Sequence, residues 1–164
     1  MNRKSVLLSA AALCLLLLAG CGGAKNQPAQ NVQLANPWKD YATLQEAEEA
    51  VGFSMELLQA IADPYQPQAF RVMNGTLLEV ICCSEEDEVT LRKAVGEEDI
   101  SGDYNQYETL VTEERADGSV LYRKNGDTIQ GMLLFRDEYV WSVLSETGLE
   151  AETAEKIVST VFGG

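Results

Sequence analysis

Histidine is absent from all 164 residues, and with it go Ser-His-Asp and Cys-His nucleophilic sites and every histidine-ligated metal centre. Cysteine is scarce. Of the four present, Cys14 and Cys21 belong to the N-terminal segment, which leaves Cys82 and Cys83. Neighbours on an extended segment point to opposite faces, so these two are expected as small apolar residues, one in the core and one on the other face. A strained bond between them, or redox work, has neither C-x-x-C spacing nor a nearby basic residue in support. Basic residues are also few: 12 Lys and Arg stand against 26 Asp and Glu, a formal charge of −14. That surplus argues against nucleic acid and anionic lipid headgroups as partners, since both are polyanions. A bilayer span needs about 20 apolar residues, and the run from Val6 to Leu18 falls short of that before small residues end it.

This run follows Arg3 and Lys4 and leads into Leu18-Ala19-Gly20-Cys21, which is the layout of an export signal. The quartet resembles the lipobox of bacterial lipoproteins. The resemblance implies that residues 1–20 are removed as a signal peptide and that the Cys21 thiol carries a diacylglyceryl group. Each buried methylene contributes about 0.8 kcal/mol, so two acyl chains hold a protein on a membrane where one would let it leave. The alternative is an ordinary secretory signal with a cysteine near its cleavage site. Residues 1–20 hold two basic residues and no acid, so the remainder carries ten basic residues against 26 acids, a charge of −16. Gly22 to Asn36 has two glycines, Pro28, several amides and no aromatic residue, the composition of a flexible spacer. Residues 21–36 are therefore expected to be lipidated cysteine and spacer, and 37–164 a single domain with one core. The expected location is the outer face of the cell membrane, with the lipid as the membrane contact.

Thr43 and Glu46 make a capping box, and Leu44, Ala47, Ala50 and Val51 share a helical face before Gly52, which predicts a helix over 43–51. Phe53 to Ala62 suggests a second short helix that Asp63-Pro64 ends. From Gln68 the period becomes alternating, with turn signals at Asn74-Gly75, Asp117-Gly118 and Asn125-Gly126. Strands are expected at 68–73, 76–82, 88–94, 107–114, 119–124, 128–135 and 139–145, with Arg136-Asp137-Glu138 as the last turn. Glu150 to Phe162 places Ala154, Ile157, Val158, Val161 and Phe162 on one stripe, an amphipathic helix that needs an apolar surface to cover. The fold class is α+β: an antiparallel meander of six to seven strands with an N-terminal and a C-terminal helix packed on it. Leu78, Val80, Val89, Leu91, Leu121, Met132, Leu134, Val140, Ile157 and Val161 are expected inside, with Trp141 at one edge.

The densest polar stretch runs from Gly96 to Asn105. Asp99, Ser101, Asp103 and Asn105 present oxygens at alternate positions, which suits a hard cation such as calcium. An EF-hand has glycine sixth and glutamate twelfth, whereas counting from Asp99 puts glycine fourth and Leu110 twelfth, so a turn in which these side chains bond backbone amides is the preferred reading. Glu85-Glu86-Asp87-Glu88 reads as a solvated loop. Paired carboxylates for sugar hydrolysis need only two acids at the right separation, and no pair singles itself out among 26. Asn36-Pro37-Trp38-Lys39-Asp40-Tyr41 reads as an aromatic staple joining spacer to domain; a sugar- or peptide-binding Trp38 is the alternative.

Three segments, Asn36-Pro37-Trp38, Asp40-Tyr41-x-Thr43-Leu44-x-Glu46-Ala47 and Glu98-Asp99-Ile100-Ser101-Gly102-Asp103-Tyr104-Asn105, look like those of uncharacterised bacterial lipoproteins with a domain of unknown function. The chain is similar there to domains in membrane-tethered proteins related to anti-sigma-factor regulators. The resemblance covers residues 36–162, implies an extracytoplasmic module and transfers no catalytic residue. Three functions remain open: a non-catalytic module that binds or senses a small molecule, peptide or protein; a carboxylate-dependent hydrolase of cell-envelope polymers; and a calcium-stabilised structural domain. The first is the expectation, because the nucleophile-and-base arrangements that a sequence reveals are missing.

Overall fold

The computed structural model describes residues 36–61 and 64–163; the signal peptide, Cys21 and the spacer up to residue 35 lie outside the described residues. The capping pair forms with one shift. Thr43 Oγ1 accepts the Glu46 amide at 3.2 Å, satisfying one donor that the helix start leaves open, while the Glu46 carboxylate reaches past the cap residue to the Ala42 amide at 3.2 Å. Helix α1 spans Leu44–Val51, and Gly52 ends it at φ 82°. The second helix expected after Phe53 is reduced to a single 3-10 turn, Glu56–Gln59.

Eight antiparallel strands follow the alternating pattern: β1 Trp38–Tyr41, β2 Gln66–Met73, β3 Leu77–Cys83, β4 Glu88–Val95, β5 Thr109–Arg115, β6 Gly118–Asn125, β7 Thr128–Arg136 and β8 Tyr139–Leu149. The α+β class holds, with one strand more than the six to seven expected. The addition is β1, which pairs residue by residue with Phe70–Met73 of β2. The simple meander also needs correction, because the order across the sheet is β1-β2-β3-β4-β8-β7-β6-β5. Two four-stranded meanders thus join through β4 and β8, and the Gly96–Glu108 connection carries the chain from the middle of the sheet to its far edge.

Helix α2, Ala151–Phe162, buries Ala154, Ile157, Val158 and Val161. It lies with α1 and the 3-10 turn on one face of the sheet, over Val72, Leu78, Val80, Cys82, Val89, Leu91, Val120, Met132, Leu134 and Val143. The opposite face is not bare. Leu77, Ala94, Leu133 and Val140 form a second, smaller cluster there, and Ile100 of the Gly96–Glu108 crossover packs onto it. Leu121 and Val140, expected in the same core as Leu78 and Val80, belong to this second layer, where Leu121 is only half-buried. Trp141 is buried in β8, a central strand, and not at an edge. Cys82 faces the main core and Cys83 the other side; both are free thiols. Burial pushes the Cys82 thiol up to about 11, which suits an inert core residue.

One of the turn signals acts as expected and another does not. Asn74 and Gly75 take left-handed conformations at φ 53° and 73°, as the β2–β3 turn requires. Between β5 and β6, however, the turn is Ala116-Asp117, and Gly118 already belongs to β6. There a Cβ would collide with the Phe135 carbonyl of β7, so the glycine permits close strand approach.

Candidate functional site

The sheet face beneath the crossover carries ionisable side chains that the alternation hides. Glu79 sits in the apolar run Leu77-Leu78-Glu79-Val80-Ile81-Cys82 and is fully buried. Register brings Arg71 of β2 and Arg92 of β4 to either side of it. Arg71 Nε donates to Oε1 at 2.7 Å and Arg92 Nε donates to Oε2 at 2.7 Å. Both guanidiniums stack on Trp38, at 5.1 and 5.6 Å from the ring centroid, so β1 is fastened by cation–π contact as well as by its ladder. The Trp38 ring thus fastens β1 to the sheet under two guanidiniums; the spacer it is expected to staple lies outside the described residues.

The crossover is held by a second arginine system. Arg92 Nη1 donates to the Ile100 carbonyl at 3.0 Å and to that of Ser101. Arg123 of β6 gives Nη1 to Ser101 Oγ at 2.8 Å and to Asp103 Oδ2 at 3.2 Å, and Nη2 to Asp99. Asp99 Oδ1 also accepts the Ser101 amide at 2.8 Å, and Asp103 Oδ1 accepts the Asn105 amide at 2.9 Å. Burial alone would raise the Asp99 carboxyl, but the Ser101 hydroxyl and amide and the Arg123 guanidinium outweigh it and hold the group low. Of the four residues singled out for calcium, three thus converge on a guanidinium, while Asn105 contributes its amide to a turn. Among the described residues no group of three or more acidic or cysteine side chains has the arrangement to hold a metal ion. Tyr107, whose hydroxyl donates to Asp103, is pushed up to about 12 by burial and by that carboxylate.

Asp87 departs from the solvated loop in which the sequence places it. Glu85 and Glu86 are exposed, but Asp87 is buried. It accepts from Tyr65 Oη at 2.9 Å, from Ser145 Oγ at 2.7 Å and from the Thr147 amide at 2.9 Å. Desolvation would raise this carboxyl; the hydrogen bonds outweigh it and hold the group low. Ser145 Oγ in turn accepts the Gly148 amide at 2.7 Å, so Asp87 pins the β8 segment that leaves register with β7 between Leu144 and Leu149. On the helix side, Lys93 is 3% exposed. Its Nζ donates to Ser54 O at 2.8 Å and to the Glu56 carboxylate at 2.8 and 2.9 Å, with the Tyr139, Trp141 and Phe53 rings at 4.5, 4.8 and 5.4 Å. This ammonium latches the segment after α1 onto the sheet.

Among the described residues these interior charges are engaged, Glu79, Lys93 and Arg123 by opposite charges and Asp87 by hydroxyl and amide donors. Open surface is found elsewhere. β5 is exposed at every residue, Leu110 to 61%. Beside it, between β5, β6 and α2, runs a groove of about 390 Å³ with apolar lining from Val111, Ile129 and Val158 and with two acids, Glu113 and Glu155, and two cations, Arg115 and Lys124, also lining it. A polar hollow of about 580 Å³ beneath the crossover is lined by Glu88, Thr90, Asp103, Gln130 and Glu146. Sequence reasoning missed Glu79, Arg71, Arg92 and Arg123. The available signal was Glu79 itself, since a lone charge in a near-continuous apolar run marks a strand covered on both faces.

Compared with protein-family models, with curated proteins and with solved structures, the chain matches none.

Proposed function

We propose that this chain is a lipoprotein anchored at the outer face of the cell membrane through a diacylglyceryl group on Cys21, and that its α+β domain is a non-catalytic binding or sensing module. The observation that carries the binding half is a contrast. The buried ionisable side chains are engaged by ion pairs or, for Asp87, by hydroxyl and amide donors, whereas β5 and the adjoining groove are open. The anchoring half rests on Leu18-Ala19-Gly20-Cys21 after its apolar run. A hydrolase of the paired-acid kind needs a carboxyl held above its usual range; Asp87 and Asp99 are held below theirs. A calcium-stabilised domain needs free carboxylates, and Asp99 and Asp103 are engaged by Arg123.

Fractionation of cells expressing the full chain tests the anchor. The native protein is expected in the membrane pellet, resistant to high salt and released by detergent, and Cys21→Ser is expected in the soluble fraction. A Cys21→Ser protein that stays in the pellet refutes the reading. Calorimetry with calcium and with chelator tests the metal alternative, since a cation selective for the native state must raise the transition.

A further inference from the structure

The two edges of the sheet are treated differently. At the β1 edge only Phe70–Met73 of β2 is covered, and the uncovered half of β2 contains Pro67, beside which the register slips before Ala69. A proline without an N–H and a bulge are standard protections against strand addition. The β5 edge has neither: Thr109 to Arg115 pairs with β6 in unbroken register. Because only Ala116 and Asp117 separate Arg115 from Gly118, those two residues form the closing hydrogen-bonded pair. Alternation then turns the N–H and C=O groups of Val111 and Glu113 inward and those of Leu110, Thr112 and Glu114 outward.

Resting on the reading of this domain as a binding module, we propose that the β5 edge receives an extended segment of a partner protein whose side chains alternate between apolar and basic. Charge selects that occupant. Three of the twelve basic residues precede Asn36 and all 26 acids follow it, so the folded unit has nine cations. Seven of them, Arg71, Arg92, Lys93, Arg115, Arg123, Arg136 and Lys156, are already in ion pairs. Most of the acids face water, which attracts a cationic strand and repels a second copy. Self-pairing is opposed locally as well: two β5 strands centred on Thr112 place Glu113 diagonally across from its own copy. A guest strand bonds to Leu110, Thr112 and Glu114, sets its apolar side chains beside Val111 on the groove face, and sets its cations on the opposite face beside Glu114, within the field of the anionic domain.

The probe is a blocked seven-residue peptide alternating Lys and Val, with an alternating Glu and Val peptide as control, added to the full-length protein in neutral detergent. Amide hydrogen exchange at Leu110, Thr112 and Glu114 is expected to slow about tenfold with the Lys peptide and not with the Glu peptide. Thr112→Pro removes the central outward donor while keeping the bonds to β6, and is expected to abolish the protection. Val111→Arg, which needs no backbone change, is expected to weaken it by repulsion. Unchanged exchange at the three amides overturns the proposal, as does protection that survives in both variants, because general charge attraction then suffices. Protection that grows with protein concentration alone also overturns it, in favour of a second copy. None of these results bears on Cys21→Ser fractionation, so failure here is distinguishable from failure of the anchored-module reading.

Discussion

Glu79 shows how much one buried carboxylate organises. It neutralises two guanidiniums, and those guanidiniums hold Trp38 and two crossover carbonyls. Removing one partner of such a system leaves charges uncompensated, which costs about 3–5 kcal/mol when all are buried. Arg71 and Arg92 keep partial contact with water, so Glu79→Ala is expected to lose about 2–3 kcal/mol in urea denaturation, with altered tryptophan emission as Trp38 loses its stack. A loss under about 0.5 kcal/mol would mean that water replaces the carboxylate. Asp87 yields a pH prediction. Its folded pKa lies below the unfolded value of about 3.9. Its contribution is therefore complete above that value and fades as pH falls through the folded one. Asp87→Asn, which keeps one carbonyl acceptor for three donors, is expected to destabilise by about 1–2 kcal/mol at neutral pH. That gap should narrow steadily below about pH 4. A gap that stays constant down to pH 2 would assign the loss to geometry instead of charge.

Elements with local signals were legible in the sequence, and elements fixed by distant partners were not. Thr43, Glu46 and Gly52 specify α1 within ten residues of chain, and the 3.6-residue stripe of α2 shows at once which face is covered. Strand β1 escaped because four residues behind a proline carry too little alternation; its place depends on Phe70–Met73 and on two arginines far along the chain. The strand order escaped for a related reason. Thirteen residues, Gly96–Glu108, reach about 40 Å when extended, whereas the four strand spacings from β4 to β5 amount to about 19 Å, so length permits both a hairpin and a crossing. The candidate loop was found by its oxygen spacing, but the group its oxygens face, Arg123, is more than twenty residues on and leaves no periodic trace. Arg123→Met is therefore expected to cost about 3 kcal/mol, because Asp103 is left buried without its cation, and to speed amide exchange across 97–108. Calcium is expected to leave the melting temperature of the native protein unchanged. A calcium-dependent rise would show that the cation displaces the guanidinium.

At the scale of the whole molecule, charge and architecture pull against each other. Burial of Leu78, Val80, Leu91, Met132, Leu134 and Ile157 on one face and of Leu133 and Val140 on the other supplies the favourable term. Nine cations must share a folded unit with 26 acids, and self-repulsion of that kind destabilises a compact state. Salt separates the two contributions. The Debye length falls from about 30 Å at 0.01 M to about 10 Å at 0.1 M, a range over which repulsion among exposed carboxylates spread across the domain is screened. The ion pairs of Glu79 and Asp103 are shielded from the added salt by burial. The thermal midpoint followed by circular dichroism is therefore expected to rise by several degrees as sodium chloride increases across about 0.01–0.5 M. Protection of β5 by the Lys and Val peptide should weaken over the same range, since the field that draws the peptide is the one that strains the fold. A midpoint that falls with salt would mean that surface pairs such as Arg115–Glu113 and Lys156–Glu152 outweigh the repulsion, and the anionic surface would then lose its standing as the feature that selects a cationic partner.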